Sequence, residues 1–107
     1  MSAVTTHVLD AALGRPATGV TVRLAGAEST LAEGVTDGDG RIPEFGPDSL
    51  AAGDYEVIFE TGDYFARQGT ETFYPRVRIP FRITDPAQHY HVPLLLSPFA
   101  FSTYRGS

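Results

Sequence analysis

The chain contains no cysteine and no lysine. Without cysteine there is no disulfide, no thiolate nucleophile and no thiolate-bound zinc. Without lysine there is no amine to form a Schiff base or to anchor pyridoxal phosphate. Positive charge rests on eight arginines, scattered along a chain whose net charge is −5. Nucleic acid is therefore not an expected partner, because binding it requires grouped cations that neutralise phosphates. No apolar run approaches the roughly 20 residues of a membrane-spanning helix, so no membrane association is expected. The start Met1-Ser2-Ala3-Val4-Thr5-Thr6 has neither the basic region nor the apolar stretch of a signal peptide, and a cytoplasmic location is the expectation. Glycine-rich phosphate loops, nucleophile elbows and a Ser-His-Asp order are also missing.

The 107 residues suffice for one domain, residues 1–107, around one core. Short segments rich in Val, Thr, Ile and aromatics alternate with Gly, Pro and Asp clusters, which predicts an all-β fold. Strands are expected at 4–9, 20–24, 31–36, 42–45, 54–60, 76–83, 90–96 and 99–104. Gly14-Arg15-Pro16-Ala17 reads as a turn. In the segment 76–83, Val77, Ile79, Phe81 and Ile83 alternate with Arg76, Arg78 and Arg82, giving one apolar and one charged face. One short helix is expected over Tyr64-Phe65-Ala66-Arg67-Gln68, capped by Thr61 or Asp63 and ended by Gly69. Eight short strands in this length predict a two-sheet sandwich.

Leu94, Leu95 and Leu96 are consecutive, so their strand needs cover on both faces. Another subunit is expected to supply it; a fully buried central strand is the alternative. Pro93 predicts a bulge or an edge position there, since it cannot donate to a ladder.

Chemistry points first to the three histidines. His89 and His91, two apart, share a strand face roughly 6.5 Å from each other. His7 lies on the Thr5-His7-Leu9 face of its own strand. Imidazole suits both acid–base work near neutral pH and metal ligation, and a zinc site of His7, His89 and His91 is one way to read the trio. The run Asp37-Gly38-Asp39-Gly40-Arg41 departs from a calcium-loop pattern and reads as an Asp/Gly turn presenting Arg41. Taken alone, these residues describe a small acidic β-sandwich with a His/Arg site.

The ending carries more. His89-Tyr90-His91-Val92-Pro93-Leu94-Leu95-Leu96-Ser97-Pro98 followed by Tyr104-Arg105-Gly106-Ser107 resembles the C-terminal signature of the 5-hydroxyisourate hydrolases, the transthyretin-like enzymes of urate breakdown. The opening Thr5-Thr6-His7-Val8-Leu9-Asp10, with Gly14-Arg15-Pro16-Ala17 and Gly19-Val20, is similar to the start of that family. Thr36-Asp37-Gly38-Asp39-Gly40-Arg41 is similar to its arginine-bearing turn, and Tyr64-Phe65 and Phe73-Tyr74-Pro75 fall at its helix and following loop.

The resemblance implies a transthyretin-like (prealbumin-type) β-sandwich of two four-stranded sheets with one short helix. It implies a homotetramer, a dimer of dimers, with sites in a channel between dimers. The catalytic set carries over onto His7, Arg41, His91 and Ser107, and the substrate-binding residues onto Arg41, Tyr104 and Ser107. The reaction implied is hydrolysis of the 5-hydroxyisourate lactam to 2-oxo-4-hydroxy-4-carboxy-5-ureidoimidazoline, with no metal and no organic cofactor. His7 or His91 would take a proton from water. His89 falls outside the set and its replacement is expected to do little. Two competing expectations are a carrier that binds an aromatic ligand in the same channel and a metal-binding module built on the histidines.

Overall fold

The computed structural model describes residues 2–107. Eight strands and one helix follow in the order β1 (Val4–Asp10), β2 (Arg15–Pro16), β3 (Thr21–Ala25), β4 (Thr30–Val35), β5 (Gly53–Phe59), α1 (Thr61–Arg67), β6 (Val77–Ile83), β7 (Tyr90–Ser97) and β8 (Ala100–Thr103). They form two four-stranded sheets, ordered β2-β1-β7-β8 and β4-β3-β5-β6. Between them lies one core that includes Val4, Val8, Val22, Leu24, Phe45, Val57, Phe59, Phe65, Leu94 and Leu96. The all-β sandwich with one short helix is thus the observed fold. No helix among the described residues is long and apolar enough to cross a membrane.

Alternation decides which face each strand buries. In β1, Val4, Thr6, Val8 and Asp10 are buried while Thr5, His7 and Leu9 are half-exposed. In β6, Val77 and Ile83 are buried and Arg78 and Arg82 face solvent. Those arginines pair with acids on β5: Arg82 with Asp54 at 2.7 Å and Arg78 with Glu56 at 2.9 Å.

Three expectations are corrected. The segment 42–45 is not a strand. Ile42 and Phe45 are buried, but they are three residues apart rather than two, and Pro43 interrupts the segment; it plugs the core as irregular chain, with Phe45 N–H donating to Ser2 Oγ at 2.7 Å. Its place among the eight is taken by Arg15–Pro16, expected as a turn, which folds back onto Leu9 and Asp10 as an antiparallel edge. The helix starts earlier than expected, with Glu60 at its N-cap and no side-chain cap. Gly62 N–H instead donates to the Pro75 carbonyl at 3.0 Å, so tertiary docking does the work expected of Thr61 or Asp63. Gly69 ends the helix at φ +67°, as expected.

Pro93 is neither at an edge nor at a bulge. β7 is a central strand, parallel to β1 and antiparallel to β8. The β8 ladder pairs Leu94 with Thr103, and one further pair, His91 with Gly106, keeps the same register beyond a gap. Pro93 sits in that gap, where no N–H is required, and its carbonyl accepts from Thr103 Oγ1 at 2.7 Å.

Candidate active site

β1 and β7 run parallel with Thr5 opposite His91 and His7 opposite Pro93. Residues paired across a ladder share a face, so Thr5, His7, His91 and Pro93 lie together on the sheet face turned away from the core. Both histidines are half-buried. Thr5 and His7 belong to the start of the chain and His91 to its end, so this parallel pairing creates the juxtaposition.

Arg41 is brought to the same place by its turn. Asp37 Oδ1 accepts the N–H groups of Asp39 at 2.9 Å and Arg41 at 3.0 Å, closing the Asp/Gly turn read from sequence. The turn docks on β1 through a bond from Val8 N–H to the Gly40 carbonyl at 2.8 Å and a backbone bridge between Arg41 and His7. Gly40 is required twice over. Its φ is +75°, and a Cβ there would collide with the Val8 carbonyl oxygen.

Hydrogen bonding fixes the imidazoles. His7 Nε2 lies 2.8 Å from the Asp39 carbonyl oxygen. A carbonyl only accepts, so Nε2 of His7 carries the proton and neutral His7 has its lone pair on Nδ1. Thr5 Oγ1 lies 2.8 Å from His91 Nδ1 and 2.8 Å from His89 Nε2. The two histidines therefore do point the same way. His89 is exposed yet bonded. The three rings aim nitrogens at Thr5 and at a carbonyl rather than at a common point. Among the described residues no three His, Asp or Glu side chains are grouped to hold a metal ion.

Burial pushes the His91 pKa below the usual 6.5, and the charges of Arg41, His7 and His89 push it further, against the opposing effect of a hydrogen bond with the Thr5 backbone. Arg41 is thus close enough to favour the neutral ring at His91 electrostatically.

The tail is docked. Gly106 N–H donates to the His91 carbonyl at 2.8 Å. The Arg105 guanidinium stacks 4.5 Å from the Tyr90 ring centroid and donates to Gln88 Oε1 at 3.1 Å. A Cβ at Gly106 would strike Cδ2 of His91. Gly106 has no positive φ; glycine serves close approach there rather than an unusual turn. Tyr104 is exposed and borders, with His91, a cleft of about 310 Å³ between β6 and the tail. Ser107 follows Gly106 and is exposed. His7, Arg41, His91 and Gly106 thus meet at one face, with Ser107 next in the chain and Tyr104 at the border. Thr5 is the site residue that sequence reasoning missed. Its position two before His7, on the same face, was the available signal.

Residues 4–106 match the model of the HIUase/Transthyretin family. A 5-hydroxyisourate hydrolase of Salmonella typhimurium is 48% identical over 106 residues, which cover 94% of this chain and 78% of that protein. The structure of Klebsiella pneumoniae 5-hydroxyisourate hydrolase is 47% identical and superimposes with a TM-score of 0.91, over 100% of this chain and 94% of that one. Transthyretin from Sparus aurata gives 0.90 at 31% identity, over 99% and 97%. The strand order, the docked tail and these likenesses together place the chain in the HIUase/Transthyretin family.

Proposed function

We propose that this protein is a 5-hydroxyisourate hydrolase, acting as a homotetramer on a small-molecule substrate and opening its lactam to give the carboxy-ureidoimidazoline product. The observation that carries the reading is the meeting of His7, His91 and Arg41 on one open sheet face, with His91 held toward its neutral form. A carrier channel needs apolar walls with few converging polar groups, and this face gathers two imidazoles and a guanidinium. The sequence is also nearer to the hydrolases than to the transthyretin whose fold it matches equally well.

Water is a weak nucleophile toward a lactam carbonyl, and a positioned base raises its reactivity by taking a proton in the transition state. His91 Nε2 is the proposed base. As the water oxygen bonds to the carbonyl carbon, its proton passes to Nε2 and the carbonyl electron pair moves onto oxygen. Arg41, whose planar fork of donors suits such an oxyanion, stabilises that charge. Collapse of the intermediate breaks the C–N bond, and the proton returns from His91 to the departing nitrogen. His7, its Nε2–H committed to Asp39, orients the water. Ser107 and Tyr104 are proposed to bind substrate. None of these steps uses a metal or an organic cofactor.

The test is a coupled assay in which uricase generates 5-hydroxyisourate from urate and its ultraviolet decay is followed. The expected result is acceleration that falls by about 10²-fold or more in His91→Ala and Arg41→Ala, with circular dichroism unchanged. Decay at the spontaneous rate with folded wild-type protein would refute the proposal.

A further inference from the structure

Beside the groups already assigned, the site holds two side chains with no role yet, Thr5 and His89. One hydroxyl, that of Thr5, bridges two imidazoles, His91 Nδ1 and His89 Nε2, each at 2.8 Å. A hydroxyl has one proton to give. If both rings are neutral, it donates to one and accepts from the other, so the bridge exists in only two polarities. In the first, His91 Nδ1–H donates to Thr5, and the Thr5 hydroxyl donates to His89 Nε2. His91 then has its lone pair at Nε2, on the ring edge that meets Gly106. In the second, Thr5 donates to His91 Nδ1 and His91 carries its proton at Nε2, where it cannot act as a base.

We propose that Thr5 and His89 are positioning residues that hold His91 in the Nδ1–H form, so that its Nε2 is free to take the proton from water. This deepens the hydrolase reading and rests on it for the catalytic consequence, but not for the tautomer itself. The Thr5 main chain favours the first polarity: its hydrogen bond with His91 acts to raise the ring's pKa, as a carbonyl that accepts from a ring N–H does, and three further observations fit that direction. His89 is exposed, so solvent satisfies its Nδ1 in either tautomer and its Nε2 is free to accept from Thr5. Thr5 is held in register opposite His91 by the parallel β1–β7 ladder, so the hydroxyl cannot drift from the ring. The charge of Arg41 disfavours a doubly protonated His91, which would make both nitrogens donors. His89 is therefore not the dispensable surface histidine expected from sequence. It is the acceptor that gives the Thr5 hydroxyl its direction. The hydrogen bond made at one ring nitrogen decides which nitrogen carries the proton, and a base held in the wrong tautomer forfeits a contribution of about 10²-fold or more.

The charged and titratable groups around His91 are His7 on β1, Arg41 on its turn, His89 and Tyr90 on the same segment, Arg82 on β6, and Tyr104 and Arg105 on the tail. All remain in the variants that remove only the Thr5 hydroxyl. The experiment uses Thr5→Val, Thr5→Ser and His89→Ala in the full chain. Two readouts are taken: nitrogen-15 chemical shifts of His91 at neutral pH without substrate, and the pH profile of kcat in the coupled assay. The Nδ1–H tautomer is expected in wild type and Thr5→Ser, with a mixture in Thr5→Val and His89→Ala. In those two, kcat is expected to fall by about tenfold or more with KM little changed, and Thr5→Ser restores it. An Nε2–H tautomer in wild type, or a tautomer and kcat unmoved by Thr5→Val, would overturn the proposal. A wild type that shows the expected tautomer shifts but no hydrolysis would refute the hydrolase reading and leave the positioning role standing, since the nitrogen shifts need no substrate.

Discussion

At the residue scale, the proposed mechanism turns on the protonation state of one ring. His91 acts as a base only when neutral, and burial together with Arg41 lowers its pKa from 6.5. The acid limb of kcat/KM is therefore expected below pH 6.5, with the rate flat from there through neutrality; an acid limb above 6.5 would contradict it. The same shift has a stability consequence. The unfolded chain takes up this proton near pH 6.5, before the folded chain does, so lowering the pH below 6.5 favours unfolding through His91, and above 6.5 its contribution is constant. A second residue-scale prediction concerns Thr61. Its hydroxyl is fully buried at the start of the helix with no hydrogen-bond partner among the described residues. Because a buried polar group without a partner costs about 1–3 kcal/mol, Thr61→Val should leave stability equal or raise it. A thermal midpoint lower by several degrees would show that the hydroxyl contributes something its surroundings do not display. The sequence allowed the wrong reading here because threonine is a common cap, and nothing local announces that Pro75 will take the donor.

At the element scale, the strands were legible because alternation writes burial directly into the sequence. Seven of the eight expected strands were found with ends within one residue of the expected ones. The exception, 42–45, failed because its buried residues are spaced for a plug rather than for a pleat. What local pattern does not encode is which strands pair. The parallel pairing of the first long strand with the seventh joins residues more than eighty positions apart, and it alone puts Thr5 under His91. The resemblance named His7, Arg41 and His91; only the pairing supplied Thr5 and gave His89 a partner. The turn that delivers Arg41 makes a further prediction. Gly40→Ala must relieve both a φ of +75° and a collision with Val8, the first alone worth about 1–2 kcal/mol. The variant is expected to lose stability in urea denaturation and to lose activity as the turn lifts from β1. Gly38→Ala, in the same turn, meets nothing within 4 Å and is expected to behave as wild type. Equal behaviour of the two variants would mean that the turn's docking does not govern the placement of Arg41.

At the scale of the whole molecule, the site lies on an outward sheet face rather than in a closed pocket. Hydrolysis at an open face leaves developing charge in water, where a guanidinium is worth far less than in a water-excluded site. The same face carries Leu9 and Leu95, half-exposed beside the histidines, and Leu95 is the middle member of the triplet that demands cover on both sides. Leu94 and Leu96 have that cover from the core; Leu95 does not. A second copy of the chain over this face would bury the leucines and enclose the imidazoles together. Assembly and catalysis would then depend on one surface. Leu95→Arg is expected to keep the sandwich, since Leu95 lies outside the core cluster, and to give a species smaller than four chains by light scattering, with kcat/KM reduced by about tenfold or more as water enters the site. A tetramer that survives Leu95→Arg with full activity would place the subunit contacts elsewhere and would require the open face to catalyse the reaction unaided.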